Sequence, residues 1–177
     1  MENTIIVTVR SASRDDLSLL TELSRTTFRS TFAQDNTPED MEAYLTENLS
    51  EEKIGRELSD PLSTFLIAER DGRPLGYAKL SEGTPDASVT GARAIELVRV
   101  YVLTEIIGSG IGARLMKECI GSATRRGYET IWLGVWENNS RAIDFYHRWG
   151  FSEVGSHLFQ LGSDPQTDLI LQKSLRG

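Results

Sequence analysis

Apolar residues along the chain follow two periods, and the switches between them mark out the elements. Thr4 to Arg10 (TIIVTVR) is rich in β-branched residues and predicts a strand. Ser13 with Asp16 has the form of a capping box, and Leu17, Leu20, Ser24 and Phe28 follow at helical spacing. Thr37-Pro38-Glu39-Asp40 reads as a second helix start: a cap, a proline at the first helical position, then acids near the positive end of the dipole. Met41, Tyr44, Leu45, Asn48 and Leu49 continue that helix, and Ile54 with Leu58 predicts a short third one. Thr64 to Arg70 and Arg73 to Leu80 are two strands around Asp71-Gly72, a strong hairpin signal. A polar loop from Ser81 to Gly91 leads to a strand over Ala94 to Val102.

A glycine-rich stretch comes next (IIGSGIG, Ile106 to Gly112), then a helix with Ile111, Leu115, Cys119 and Ala123 on one face. Arg125-Arg126-Gly127 closes it with cations and a cap glycine. Thr130 to Trp136 predicts a strand, Ser140 to Trp149 a helix capped by Gly150, and Phe151 to Gln160 and Asp168 to Leu175 two closing strands. The order describes a mixed α/β domain over residues 1–177, with an antiparallel start and one βαβ unit near the middle.

Composition narrows the function classes. The chain carries 19 Lys+Arg against 26 Asp+Glu, a formal charge of −7, so it lacks the basic footprint of a nucleic-acid binder. The acidic balance suits a cationic small substrate, and it equally suits plain solubility. The single cysteine, Cys119, rules out an internal disulfide framework and a cysteine-rich metal site, which fits a reducing setting. It lies on the apolar helix face and reads as core. The start MENTIIVTVR is not a signal peptide, and no stretch reaches the length of a membrane span. A cytoplasmic protein without membrane or metal partners is expected. His147 and His157 are isolated and read as non-ligands, and Asp168 as the opening residue of the last strand.

The glycine turn joins a strand to a helix. A helix N-terminus offers unpaired amides, and glycines let a ligand approach the backbone, so Ile107 to Gly112 could cradle phosphate oxygens or simply turn the chain. Gly108-Ser109-Gly110-Ile111-Gly112-Ala113 also satisfies the dinucleotide pattern G-x-G-x-x-[GA]. That reading is weakened by the turn's late position and by the single strand–helix pair that follows it.

The block V-Y-V-(4)-I-G-S-G-I-G resembles the acetyl-CoA-binding motif of the GNAT N-acetyltransferases, whose form Arg/Gln-x-x-Gly-x-Gly/Ala falls on Ile107, Gly110 and Gly112. Asn139-S-R-Ala142-I-D-Phe145-Tyr146-HRW-Gly150-Phe151 resembles the family's second signature. The segments TFRSTFAQDNTPEDMEAYL, IWLGVWE and QTDLI are similar to the PaiA-type subgroup, described as polyamine N-acetyltransferases. The resemblance covers most of the chain. It implies a mixed, mostly antiparallel sheet of about seven strands with helices on both faces and a splayed cofactor cleft between the two central strands. It also implies transfer of acetyl from acetyl-CoA to a primary amine, spermidine or spermine first, and it allows a homodimer.

The resemblance assigns residues as well. Val100, Tyr101 and Val102 would hold the pantetheine arm. Ile107, Gly108, Ser109, Gly110, Ile111 and Gly112 would hold the pyrophosphate, and Asn139 and Tyr146 would also touch the cofactor. Tyr146 would be the general acid for the thiolate, although its spacing with Ala142 and Trp149 is also that of a plain aromatic stripe. Two positions depart from the family: Ile107 replaces the usual Arg or Gln, and Val98 stands where polyamine acetyltransferases often carry a glutamate base. The nearest acid on that strand is Glu96, the candidate base. For the acceptor, Glu96 and Glu137 lie at or near the two central strands, whereas Glu39, Asp40, Glu42, Glu47, Glu51 and Glu52 on the early helices have the form of a solvated face. Gly134, between Trp132 and Trp136, marks either close approach of a ligand or packing between two indoles. Other readings are acetylation of a peptide or another small amine, a non-catalytic coenzyme A-binding module, and, last, a dinucleotide-binding protein.

Overall fold

The computed structural model describes residues 6–176. Seven strands form one sheet: β1 (Val7–Ser11), β2 (Ser63–Arg70), β3 (Arg73–Ser81), β4 (Ala94–Val102), β5 (Thr130–Trp136), β6 (Ser152–Leu161) and β7 (Asp164–Ser174). Their order is β1-β2-β3-β4-β5-β7-β6. Every neighbouring pair is antiparallel except β4 with β5, which run parallel because a helix crosses between them. The helices are α1 (Leu17–Phe32), α2 (Pro38–Asn48), α3 (Glu51–Ser59), α4 (Ile111–Arg125) and α5 (Ser140–Arg148). The expected α/β class, strand number and mostly antiparallel sheet are all present.

The local signals act as the sequence predicts. Thr37 caps α2 by accepting from the Asp40 amide, and Pro38 stands in its first turn. Asp71 and Gly72 both adopt positive φ, 51° and 76°, the conformation a two-residue hairpin turn demands. The first strand begins at Val7, and residues 4 and 5 of the expected strand lie outside the described residues.

One boundary needs correction. The last strand starts at Asp164, not Asp168, and turns tightly out of β6 through Gly162, at φ 60°. Asp168 therefore sits inside the strand, paired with His157 on β6 and with Trp136 on β5.

Two apolar layers cover the sheet. On one face Ile95, Leu97, Ile131, Leu133 and Val135 pack against Leu115, Met116, Cys119 and Ala123 of α4 and Tyr146 of α5. On the other face Phe65, Ile67 and Tyr77 pack against Leu20, Leu23 and Phe28 of α1, Met41 and Leu45 of α2, and Ile54 of α3. Each side chain removed from water contributes about 1.5–3 kcal/mol, so both layers together hold the sheet between the helices.

Candidate active site

The central strands part. β4 and β5 pair only over Ala94–Thr130, Ile95–Ile131 and Glu96–Trp132. Beyond that point a cleft of about 730 Å³ opens between them. Its lining includes Glu96 to Val102 from β4 and Gly134 to Trp136 from β5.

The hydrogen-bond phase of β4 decides which of its amides face this gap. Leu103 donates its N–H to Leu75 O at 2.9 Å, so bonded pairs with β3 fall at 103/75 and, two residues back, at 101/77. The Tyr101 main chain is thus spent in the β3–β4 ladder. Val100 and Val102, one residue out of phase, turn their amides and carbonyls away from β3 and into the gap.

At the end of β4 a 3₁₀ turn (Thr104–Ile106) leads into the glycine stretch. Ile107 N–H donates to Thr104 O, and Ser109 donates both its N–H (3.1 Å) and its hydroxyl (2.6 Å) to Ile106 O. Those two residues brace the turn and have no amide to spare. Gly108 and Gly110 adopt φ of 89° and 86°, and a Cβ on either would meet nothing within 4 Å. The glycines are required by backbone conformation, not by crowding. The first helical bond is Arg114 N–H to Gly110 O, which leaves the preceding α4 amides free at the positive end of the dipole. Ile111 turns its side chain into the core, and Ile107 is 41% exposed at the cleft rim. Gly112 lies 3.8 Å from both Phe145 and Val102, measured from an ideal Cβ. This set suits a group with phosphates at one end and an amide-bearing arm at the other.

On α5, Asn139 caps the helix by accepting from Ala142 N–H at 3.3 Å, and it also lines the cleft. Tyr146 is 9% exposed, wedged edge-on between Phe145 and Phe151. Its ring reaches the cleft, and its hydroxyl makes no hydrogen bond among the described residues. Burial raises its pKa above the ordinary phenol value, so it holds its proton. Cys119, on the buried face of α4, is pushed up to about 12 by burial, which keeps the thiol protonated and inert.

The opposite wall of the cleft is aromatic and acidic. Phe28, Phe32, Tyr44, Tyr101, Trp136 and Phe159 all line it, with Phe28 and Tyr44 stacked at 4.3 Å and Tyr44 5.6 Å from Phe159. Two carboxyls enter among the rings. Glu96, half-buried, is raised by burial against the pull of Lys79, His157 and Arg99. Asp168 is pushed up to about 6 by burial, which the nearby His157 opposes. Neither carboxyl accepts a hydrogen bond among the described residues.

Alternation along β4 is broken just past Glu96. Lys79 faces Arg99 and Leu80 faces Leu97, so Val98 is an extra residue, a bulge. The bulge turns Arg99 to the Tyr101 face, where its guanidinium grips Glu57 of α3 at 2.7 and 3.2 Å. Lys79 Nζ joins at 3.1 Å. Burial acts to raise the Glu57 carboxyl, and the two cations outweigh it, so its pKa stays below the ordinary range.

Gly134 also has a use that the sequence left open. A Cβ there would stand 3.3 Å from Asp168 Oδ2 and 3.7 Å from His157 Nε2. The missing side chain makes room for Asp168 to lean over β5 toward the gap. The early-helix acids stay away from the cleft: Glu42 pairs with Arg25 and Arg29, Glu52 with Arg56, and Asp40 accepts from Ser163. Glu137 is exposed outside it. The structure thus brings together Glu96, Val100, Tyr101, Val102, Ile107, Gly108, Gly110, Gly112, Asn139 and Tyr146 along one cleft and leaves Ser109 and Ile111 in its frame. Asp168, His157 and Arg99 were missed. Asp168 carried two signals, its place in the QTDLI segment that resembles the PaiA-type subgroup and an ionisable residue followed directly by an apolar run.

Residues 20–151 match the model of the acetyltransferase (GNAT) family. The chain belongs to the GNAT family. An uncharacterised N-acetyltransferase of Lactobacillus delbrueckii subsp. lactis is 34% identical over 169 residues, which cover 96% of this chain and 98% of that protein. The spermidine N(1)-acetyltransferase of Thermoplasma acidophilum is 28% identical over 149 residues, 82% of this chain and 88% of the relative. The crystal structure of a PaiA N-acetyltransferase from Thermoplasma acidophilum in complex with coenzyme A superposes with a TM-score of 0.79 at 27% identity, covering 96% of this chain and 99% of that one. This GNAT protein is an acetyl-CoA-dependent N-acetyltransferase, and the glycine turn, the free β4 amides and the open gap fit coenzyme A.

Proposed function

We propose that this enzyme acetylates a primary amine of a small polycation, with spermidine or spermine as the first candidates. The observation that carries the reading is the pair of carboxyls, Glu96 and Asp168, set among aromatic rings and accepting no hydrogen bond among the described residues, with His157 Nε2 4.0 Å from Asp168. A desolvated carboxylate without a partner is costly, and an ammonium from the acceptor offsets that cost. Aromatic faces favour a cation as well. The named activity of the Thermoplasma relative supports the same class.

Acetyl-CoA supplies the acetyl group as an activated thioester. The Val100 and Val102 amides bind its arm, and the Gly108 to Gly112 turn takes its phosphates through main-chain donors, which removes the need for an arginine at Ile107. Asn139 holds the α5 start against the cofactor. Glu96 accepts a proton from the attacking nitrogen. Tyr146, kept protonated by burial, donates to the departing sulfur. No covalent enzyme intermediate is involved, in keeping with the inert Cys119.

The test is free-thiol release from acetyl-CoA with and without spermidine, for wild type and Tyr146→Phe. Spermidine-dependent release in the wild type is expected, with kcat about 10²-fold lower in the variant, the lower end of the range for a lost general acid. Release with a peptide or monoamine but not with spermidine or spermine would sink the polyamine assignment. An unchanged Tyr146→Phe rate would remove that residue as the acid.

A further inference from the structure

Acetyl transfer to an ammonium must dispose of a proton. R–NH₃⁺ and acetyl-CoA become the acetamide, free coenzyme A thiol and one H⁺. The nitrogen sheds one proton before attack and a second as the C–N bond forms and the C–S bond breaks. The second goes to Glu96 while Tyr146 gives a proton to sulfur, and after release Glu96 loses one proton to solvent as Tyr146 regains one, so this pair cancels. The first has to reach solvent from a cleft walled by aromatic rings.

From the geometry we infer that Asp168 takes this first proton from the acceptor ammonium and that His157, held by Asp86, passes it to solvent. The inference rests on the amine-transfer reading of the cleft, although not on the acceptor being a polyamine.

Three groups stand in a row, with His157 the most exposed and Asp168 and Asp86 (23% exposed) on either side of it. The Asp168 side chain is 14% exposed and the His157 side chain 40% exposed, with Nε2 4.0 Å from Asp168 Oδ2. His157 Nδ1 lies 3.4 Å from Asp86 Oδ2. Asp86 is fixed in turn by Ser88, which donates its N–H at 2.9 Å and its hydroxyl at 2.6 Å. Those two bonds hold the Asp86 carboxyl below its ordinary pKa and keep it ionised. An ionised Asp86 favours the tautomer with the proton on Nδ1, which presents the bare Nε2 to Asp168 as an acceptor. The 4.0 Å gap is long for a hydrogen bond. Such contacts commonly tighten only when substrate is bound.

The arrangement is built by backbone features. His157 and Asp168 are direct partners across β6 and β7, so both point to the cleft face. Gly134 gives up the space over β5 that Asp168 occupies. On the outer side, Ser88 lies against Gly155, two residues from His157, so the β3–β4 loop is seated on the same strand.

The titratable groups that act on Asp168 are His157 on β6 and Tyr44 on α2, and Glu96 and Arg99 on β4 line the same cleft. β5 adds only Gly134 and Trp136. Burial lifts Asp168 to about 6, close to an operating pH, where a carboxylate both exists and accepts a proton.

The experiment measures kcat/KM against pH for wild type, Asp168→Asn and His157→Gln, with spermidine and separately with n-butylamine as acceptors. Coenzyme A affinity serves as the check on folding. Asp168→Asn should lose about 10²-fold near pH 7, with the deficit shrinking toward about pH 10 as free amine becomes abundant. His157→Gln, which removes a supporting partner, should lose about 10-fold and recover in imidazole buffer. Profiles that run parallel to wild type at every pH, without imidazole rescue, would overturn the relay. Turnover of n-butylamine but not of spermidine would retire the polyamine reading alone. In the resting enzyme, carbon NMR of the aspartate carboxyls should show one resonance that titrates near 6 and is missing in Asp168→Asn. Titration in the ordinary aspartate range would overturn the inference even if neither amine were turned over.

Discussion

Tyr146 and Asp168 face one cleft from opposite sides, and burial raises both pKa values with different results. For a phenol the shift secures the protonated form that an acid needs. For Asp168 it makes the ionised form expensive, so the residue weakens the fold at neutral pH. Its folded pKa of about 6 lies above the value for an exposed aspartate, so this site favours the native state only while the carboxyl is protonated. That favour is complete below about pH 4 and is lost as the pH rises through about 6. Asp168→Asn is therefore expected to stabilise the protein at pH 7 by about 1–2 kcal/mol, after discounting for partial exposure, and to leave stability near pH 4 unchanged. Chemical denaturation at the two pH values checks this, and destabilisation at pH 7 would contradict the uncompensated state of the carboxyl.

At the scale of elements, α3 is tied to the sheet by Ile54 in the apolar layer and by one buried ion cluster. Glu57 accepts from Arg99 and pairs with Lys79, all three side chains being 12% exposed or less. Removing the charge strands two cations among Tyr77, Tyr44 and Tyr101. Glu57→Gln should cost about 3–5 kcal/mol, the range for breaking a buried pair, and denaturant titration would measure it. The same change frees the Arg99 end of the aromatic wall, so on the proposed amine-binding role of that wall the KM for the amine should rise together with the loss of stability. The elements differed in how readily the sequence showed them. α2, the β2–β3 hairpin and α4 were legible because each carries its own punctuation: Thr37-Pro38, Asp71-Gly72, Gly110 and Gly127. The start of β7 was not, because Asp164-Pro165-Gln166-Thr167 looks like loop. It forms a strand because β6 lies beside it and supplies the pairing.

At the scale of the molecule, the cofactor cleft exists because β4 and β5 pair for three residues and then separate. Ligand that fills the gap replaces the missing strand contacts and should stabilise the native state. Coenzyme A at about 100 times its Kd is expected to add about 2.7 kcal/mol, a rise in Tm of about 5–11 °C for a chain of this size. NAD at the same concentration should add nothing. The reverse outcome would revive the dinucleotide reading of the glycine pattern. No helix of the described residues is long and apolar enough to cross a membrane.

By itself the sequence determined the class, the cofactor and half of the cleft. The glycine turn, Asn139 and Tyr146 are local features: a positive φ, a helix cap and a signature whose residues are close in the chain. The aromatic and acidic wall of the cleft was decided only by the tertiary structure. Val98 bulges because seven residues of β4, Glu96 to Val102, pair with six of β3, Gly76 to Ser81, and that single extra residue turns Arg99 to the face of Glu57. Asp168 meets His157 and leans over Gly134 because three strands far apart in sequence come into register. Spacing along a chain encodes contacts over one helical turn or one hairpin. Contacts across a sheet depend on pairing partners and register, and a single sequence carries no direct mark of either.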